Sequence, residues 1–335
     1  MKKVFVILTI LTLLIVSACS SKSTGEDAGA EDKKWSPEKP IEVVAPAGPG
    51  GGWDTTARMV TQVFEEENLI DKRMPVVNKA GGGGAVGWAY IAGQKSSNHH
   101  LFVSSPPLIL VPLNGQSQYS HEDFTPIANM IADYGAFAVK ADSKWNTLTD
   151  LFEDMKTDPT KISVIGTSSP GSMDHMQFIK IAQAAGVDVK KVKYLSDPDG
   201  GGMTALLNGS VEVYSTGVAE TVEQVRAGKI KVLGITAEER LEGEVLSDFP
   251  TTVEQGIDET FINWRGFFGP ADMDPAAVEY YTAKFQELND SGAWDEMRKK
   301  YGWNEMFITG DDYKDFLNKE REEMQVLLDE LGLAK

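Results

Sequence analysis

The chain has 335 residues, 41% hydrophobic and 24% charged, with a formal net charge of −18 and a pI near 4.7. That is enough apolar material for a folded body of two domains, and it excludes a disordered chain. With no basic field to displace phosphate counterions it also excludes nucleic acid as a partner, and any anionic ligand must be held by local dipoles and one or two placed cations.

Lys2 and Lys3 precede an apolar run, Val4 to Val16, that is short for a membrane span and suits a signal peptide over residues 1–18. It ends Ile15-Val16-Ser17-Ala18-Cys19, which resembles a bacterial lipoprotein cleavage box. Cys19, the sole cysteine, is then the lipidated first residue of the mature chain and its anchor to the cell membrane on the extracytoplasmic side. Residues 19–37, rich in Ser, Gly, Ala and charge, read as a flexible tether.

The body opens on a β-branched strand, Ile41 to Val44, followed by Pro46-Ala47-Gly48-Pro49-Gly50-Gly51-Gly52-Trp53-Asp54 and a helix with Ala57, Val60, Val63 and Phe64 at helical spacing. Asp54 is the expected N-cap. Such a loop presents unpaired N–H groups at the positive end of a helix dipole and lets an anion approach the backbone. The competing reading is a tight strand-to-helix turn whose glycines serve backbone geometry alone.

A second strand, Met74 to Asn78, leads into Gly81-Gly82-Gly83-Gly84 and a helix carrying Trp88, Tyr90 and Ile91; a third, Leu101 to Val103, ends at Ser104-Ser105-Pro106-Pro107. Three parallel strands with loops at one carboxyl edge make half of a doubly wound sheet. Phe124 to Lys140 is long enough to cross between lobes. The pattern then restarts: helix Leu148 to Met155, strand Ile162 to Gly166, loop Thr167 to Ser172, helix Met173 to Ala185 and strand Val192 to Leu195. Strands Val211 to Tyr214 and Ile230 to Ile235 complete a second parallel set, Phe261 to Gly269 returns to the first lobe, and helices from Pro275, Trp294 and Asp311 close the chain.

The ordered series Pro49 to Asp54 with Arg58, Asn78 to Gly87, Phe124-Thr125-Pro126, Gly171-Ser172 with His175, Ala227-Gly228-Lys229, Pro250-Thr251, and Trp264 before Gly269-Pro270 resembles the solute-binding proteins of the tripartite tricarboxylate transporter family. The resemblance runs from about Pro40 to Leu331. It implies an α/β, periplasmic-binding-protein-like type II fold, with lobe 1 over residues 38–138 and 263–335, lobe 2 over 139–262, and a hinge of two crossover strands. It also implies a monomeric, non-enzymatic protein without cofactor or metal that binds a small di- or tricarboxylate between the lobes and delivers it to a large and a small membrane subunit.

In that frame Pro49, Gly50, Gly51, Gly52, Trp53, Ser104 and Ser105 grip the anion from the first lobe, while Ser169, Gly171 and Ser172 close on it from the second. Asn78 and Gly82, Gly83 and Gly84 shape the floor; Asp54 caps its helix or holds a bridging water. Tyr194 and Thr216 read the far end of the ligand or belong to the core. Lys79 and Arg265 are the nearest cations and read as surface or structural charges; His175 reads as a structural histidine.

Gly82 to Gly87 satisfies a dinucleotide-binding pattern, but the acidic residue required about twenty positions on is missing around Ser104 to Leu108. Gly166-Thr167-Ser168-Ser169-Pro170 lacks the second glycine of a nucleophile elbow. A sensor passing its ligand signal to a membrane partner shares the fold, and sequence alone leaves it as the alternative.

Overall fold

The computed structural model describes residues 35–197 and 201–335. Its longest strand is β4, Thr125–Lys140, which is buried without interruption from Ile127 to Val139. Such a run has no solvent face, and β4 runs through two sheets that each cover part of it. Its first half pairs antiparallel with β9, Ile262–Gly269, in the register Thr125↔Gly269 to Tyr134↔Ile262. Its second half pairs antiparallel with β7, Val213–Gly217, and with β8, Ile230–Ile235.

The first sheet continues outward from β9 to β3, His100–Ser104, then to β1, Glu42–Ala45, and β2, Val76–Asn78. These last three are parallel, with Val43 level with both Val76 and Leu101. Helix α1, Gly52–Glu66, turns Ala57, Val60, Val63 and Phe64 inward, where Phe64 meets Phe285 edge to face. Burying a side chain such as Phe64, 1% exposed, contributes about 1.5–3 kcal/mol. Helix α2 is Ala85–Ala92, and α3, Pro107–Leu113, is wholly apolar and packs under α10, Gly310–Leu331. Helices α8, Pro275–Asn289, and α9, Gly292–Tyr301, cover the face occupied by α1. An edge strand, β10, Asn304–Thr309, pairs with β4 where the sequence gives no strand signal.

The second sheet runs from β7 to β5, Ser163–Gly166, and β6, Lys193–Ser196, all parallel. Helices α4, Leu148–Thr157, α5, Met173–Ala184, α6, Gly202–Leu207, and α7, Val222–Arg226, complete this lobe. Strand β8, expected in the parallel set, joins the sheet on the other flank of β4.

Two further sequence expectations change. Trp35, placed in the tether, packs on Tyr280, Tyr281 and His99 with ring centroids 5.3–5.7 Å apart, so it belongs to the folded body. Asp54 is not the N-cap of α1: Gly51 holds that position in extended backbone, and Asp54 lies inside the first turn. The signal peptide and the lipidation site at Cys19 lie outside the described residues.

Candidate functional site

The loops after β1, β5 and β7 leave their strands at the carboxyl ends and converge on one cavity of about 200 Å³. That position, between two sheets at the carboxyl edge of parallel strands, is where open α/β folds receive ligands. Gly50, Gly52 and Thr55 line it from the first lobe, and Thr167, Met173, Asp174, Gly217 and Glu220 from the second. Asp133 on β4 with Asn263 and Arg265 on β9 supply the hinge side, and Tyr301 and Trp303 form an aromatic wall, stacked at 4.7 Å. The cavity is smaller than the roughly 300–1,000 Å³ of clefts that enclose drug-sized molecules, so it suits a small metabolite. Larger depressions, about 290 Å³ beside Phe64 and Met74 and about 360 Å³ beside Trp145 and Glu212, each draw on a single lobe.

Two helices aim their N-termini at this space. The N–H groups of Gly52 and Trp53, in the first turn of α1, and of Met173, which begins α5, donate to no group among the described residues. First-turn amides have no intrahelical acceptor and carry the positive end of the helix dipole, which favours an anion.

Each helix also brings an acid that folds back on its own loop. The Asp54 carboxylate accepts from Gly50 N at 2.8 Å, from Asn78 Nδ2 at 2.8 Å and from Arg58. Burial opposes its charge, but these donors outweigh burial and hold its pKa below the usual carboxylate value. Asp174 Oδ2 accepts from Thr167 N at 2.8 Å, Ser168 N at 2.9 Å and Thr167 Oγ1 at 2.9 Å. Here burial, with the Glu220 charge adding to it, prevails and pushes the carboxyl up to about 6. The amides of Gly50, Thr167 and Ser168 are therefore already occupied.

Arg265 is 8% exposed, pairs with Asp133 Oδ2 at 2.8 Å and reaches Thr56 Oγ1 at 3.4 Å, while its Nε has no partner. Burial pushes the Asp133 carboxyl up; the adjacent guanidinium and the Tyr134 N–H pull it back, and the 2.8 Å contact is that of an ion pair.

A family model described as "Tripartite tricarboxylate transporter family receptor" matches residues 58–333. The chain belongs to that family. A TctC solute-binding protein from Polaromonas, solved without ligand, shares 25% identity over 88% of this chain and 99% of its own, with a TM-score of 0.69. MatC from Rhodopseudomonas palustris, solved with bound malate, shares 20% identity over 87% of this chain and 99% of its own, with a TM-score of 0.72. A Pseudomonas protein from the tcbD-tcbE intergenic region is 26% identical over 75% of this chain and 74% of its own length.

In this receptor Gly50 and Gly52 are the sequence-predicted residues that line the cavity. Pro49 is exposed beside them, and Gly51 is the N-cap of α1. The other predicted residues lie outside the lining. The Trp53 indole donates to Ser105 Oγ at 2.9 Å and meets Trp88 edge to face. Ser104 is buried, and its hydroxyl has no partner. Asn78 ties Asp54 to Ala47 O, and Gly82 to Gly84 form a tight turn ahead of α2, with Gly83 at φ 64°. Ser169 and Gly171 lie where the lobes touch: Ser169 Oγ donates to Gln116 Oε1 at 3.1 Å, and Gly171 O accepts from Asn114 Nδ2 at 3.2 Å. Ser172 is the N-cap of α5, without a side-chain bond. Tyr194 donates to Ser168 O at 2.9 Å, and Thr216 donates to Glu220. His175 is a structural histidine: its Nδ1 accepts from Gly171 N at 3.0 Å, and burial lowers its pKa to about 4. Lys79 lies over the Tyr90 ring, 4.3 Å from its centroid, away from the cavity.

Arg265, named from the sequence as a nearby cation but read as a surface or structural charge, and Asp133, not named at all, both line the cavity; a lone acid within Ile127 to Val139 and a lone base within Phe261 to Phe268 are their visible signals. A charge in the middle of a buried strand must be paired there.

Proposed function

We propose that this receptor captures a small di- or tricarboxylate in the cavity between its lobes and delivers it to the membrane subunits of a tripartite tricarboxylate transporter. One observation carries the reading: the guanidinium of Arg265 and the unpaired first-turn amides of Gly52 and Met173 converge on one small cavity. A carboxylate there takes charge-assisted hydrogen bonds from a buried guanidinium and from two helix dipoles. The malate bound to MatC supports the class of ligand.

The remaining features follow the same scheme. Lobe 1 comprises residues 35–138 and 263–335 and lobe 2 residues 139–262, with β4 and β9 as the hinge, and the anion lies against the loop from Pro49 to Trp53. The protein works as a monomer on the extracytoplasmic side of the membrane, held by lipid on Cys19. Calorimetric titration of the purified protein against di- and tricarboxylates tests the reading. Saturable one-to-one binding of at least one is expected; binding of a sugar or a simple amine with no carboxylate bound overturns it.

A further inference from the structure

The cavity that receives the carboxylate is lined by one guanidinium and three carboxylates. Arg265 is committed to Asp133, which leaves Asp174 and Glu220 without any cationic partner among the described residues. Each uses one oxygen inside its own lobe: Asp174 Oδ2 takes the Thr167 and Ser168 donors, and Glu220 Oε2 takes Gly217 N and Thr216 Oγ1. Asp174 Oδ1 and Glu220 Oε1 receive no hydrogen bond from the described residues. A further acceptor on the hinge side, Asn263 Oδ1, is buried without a partner on a residue 8% exposed that lines the same cavity. Asn263 Oδ1, sealed from water, costs free energy unless a ligand donates to it, whereas Glu220 is an exposed residue whose carboxylate water can reach. A ligand bearing only negative charge satisfies none of these acceptors and meets two like charges, one on buried Asp174 and one on exposed Glu220.

We propose that the ligand carries an ammonium group besides its carboxylate, and that Asp174, Glu220 and Asn263 form the subsite that receives it. The inference rests on the carboxylate reading above. The carboxylate end lies toward Arg265 and the N-termini of α1 and α5, and the ammonium end toward the free oxygens of Asp174, Glu220 and Asn263. Three features favour ammonium over a metal ion. Among the described residues, no group of three His, Cys, Asp or Glu side chains is placed to hold a metal. The acceptors come from separate elements, as suits three diverging N–H donors. The aromatic wall of Tyr301 and Trp303 adds a surface that attracts an organic cation.

The test compares ligands that differ only in the ammonium: aspartate with succinate, glutamate with glutarate, and 4-aminobutyrate with butyrate, with putrescine as an amine lacking carboxylate. Calorimetry is expected to show at least one amino member binding tenfold or more tighter than its partner. Glu220→Gln is expected to weaken that ligand at least fivefold and to tighten its des-amino partner; Asp174→Asn repeats the measurement at the other acid, with thermal melting to confirm folding. Des-amino partners that bind as well or better, or variants that shift both members of a pair alike, overturn the inference and leave the carboxylate reading standing. Failure of every amino carboxylate to bind also overturns it. Binding of putrescine with no carboxylate bound overturns both.

Discussion

The guanidinium of Arg265 lies against the bare Cα of Gly52: a Cβ on Gly52 would stand 2.1 Å from Nη1 and 2.5 Å from Nη2. This close approach joins the hinge strand β9 to the first turn of α1. Replacing Gly52 by Ala must therefore push Arg265 out of place, and an affinity loss of about tenfold or more is expected, equivalent to about 1.4 kcal/mol. Gly51→Ala is the comparison. Its backbone is at φ −70°, and a Cβ would meet Gly48 O at 3.3 Å without touching Arg265, so calorimetry should find a smaller loss than for Gly52→Ala.

Removing Arg265 strands a buried acid. Arg265→Met leaves Asp133, 5% exposed, without its counter-charge, and destabilisation of about 3–5 kcal/mol is expected in urea unfolding. Adding Asp133→Asn should recover most of that stability and none of the carboxylate binding. Recovery of both would make the pair a structural fixture alone.

Asp174 gives the protein a signature in its pH dependence. Its carboxyl titrates near 6 when folded and near 3.8 when unfolded, so the folded state holds the proton more tightly. The stability it contributes is complete below about pH 4 and is lost as pH rises through 6. His175, lowered to about 4 by burial, acts in the opposite sense: its contribution is present above its unfolded value of 6.5 and is lost as pH falls toward 4. Subtracting the unfolding free energy of Asp174→Asn from that of wild type at each pH isolates the acid. The difference should fall by roughly 3 kcal/mol between pH 4 and 7, and a flat difference would place Asp174 in a wetter site.

Much of the fold is legible in the amino acids because the strands are bounded by glycine and proline loops and because β4 is too long and too apolar to serve one sheet. Strand β10 is not, since Asn304 to Thr309 is a half-exposed edge with no alternation, and α3 is hidden by Pro107 and Pro112 in an unbroken apolar run. At the site, the loop from Gly50 to Gly52 is readable from its glycines. Asp54 looks like a cap because an acid precedes an apolar helix; Gly51 takes the cap because extended backbone there turns the Asp54 carboxylate toward Gly50 N and Asn78 instead. Asp174 and Glu220 carry no sequence signal, since acids are ordinary in the first turn of a helix. Only the arrangement of loops after β5 and β7 brings them to one cavity.

The central claim is tested most directly by a crystal structure grown with the tightest-binding carboxylate found by calorimetry. The account predicts one ligand carboxylate within hydrogen-bond reach of Arg265 and of the N–H of Gly52 or Trp53, enclosed by the Thr167 to Asp174 segment of the second lobe. A carboxylate bound elsewhere, with the Gly52 amide and Arg265 in contact only with water, would contradict it.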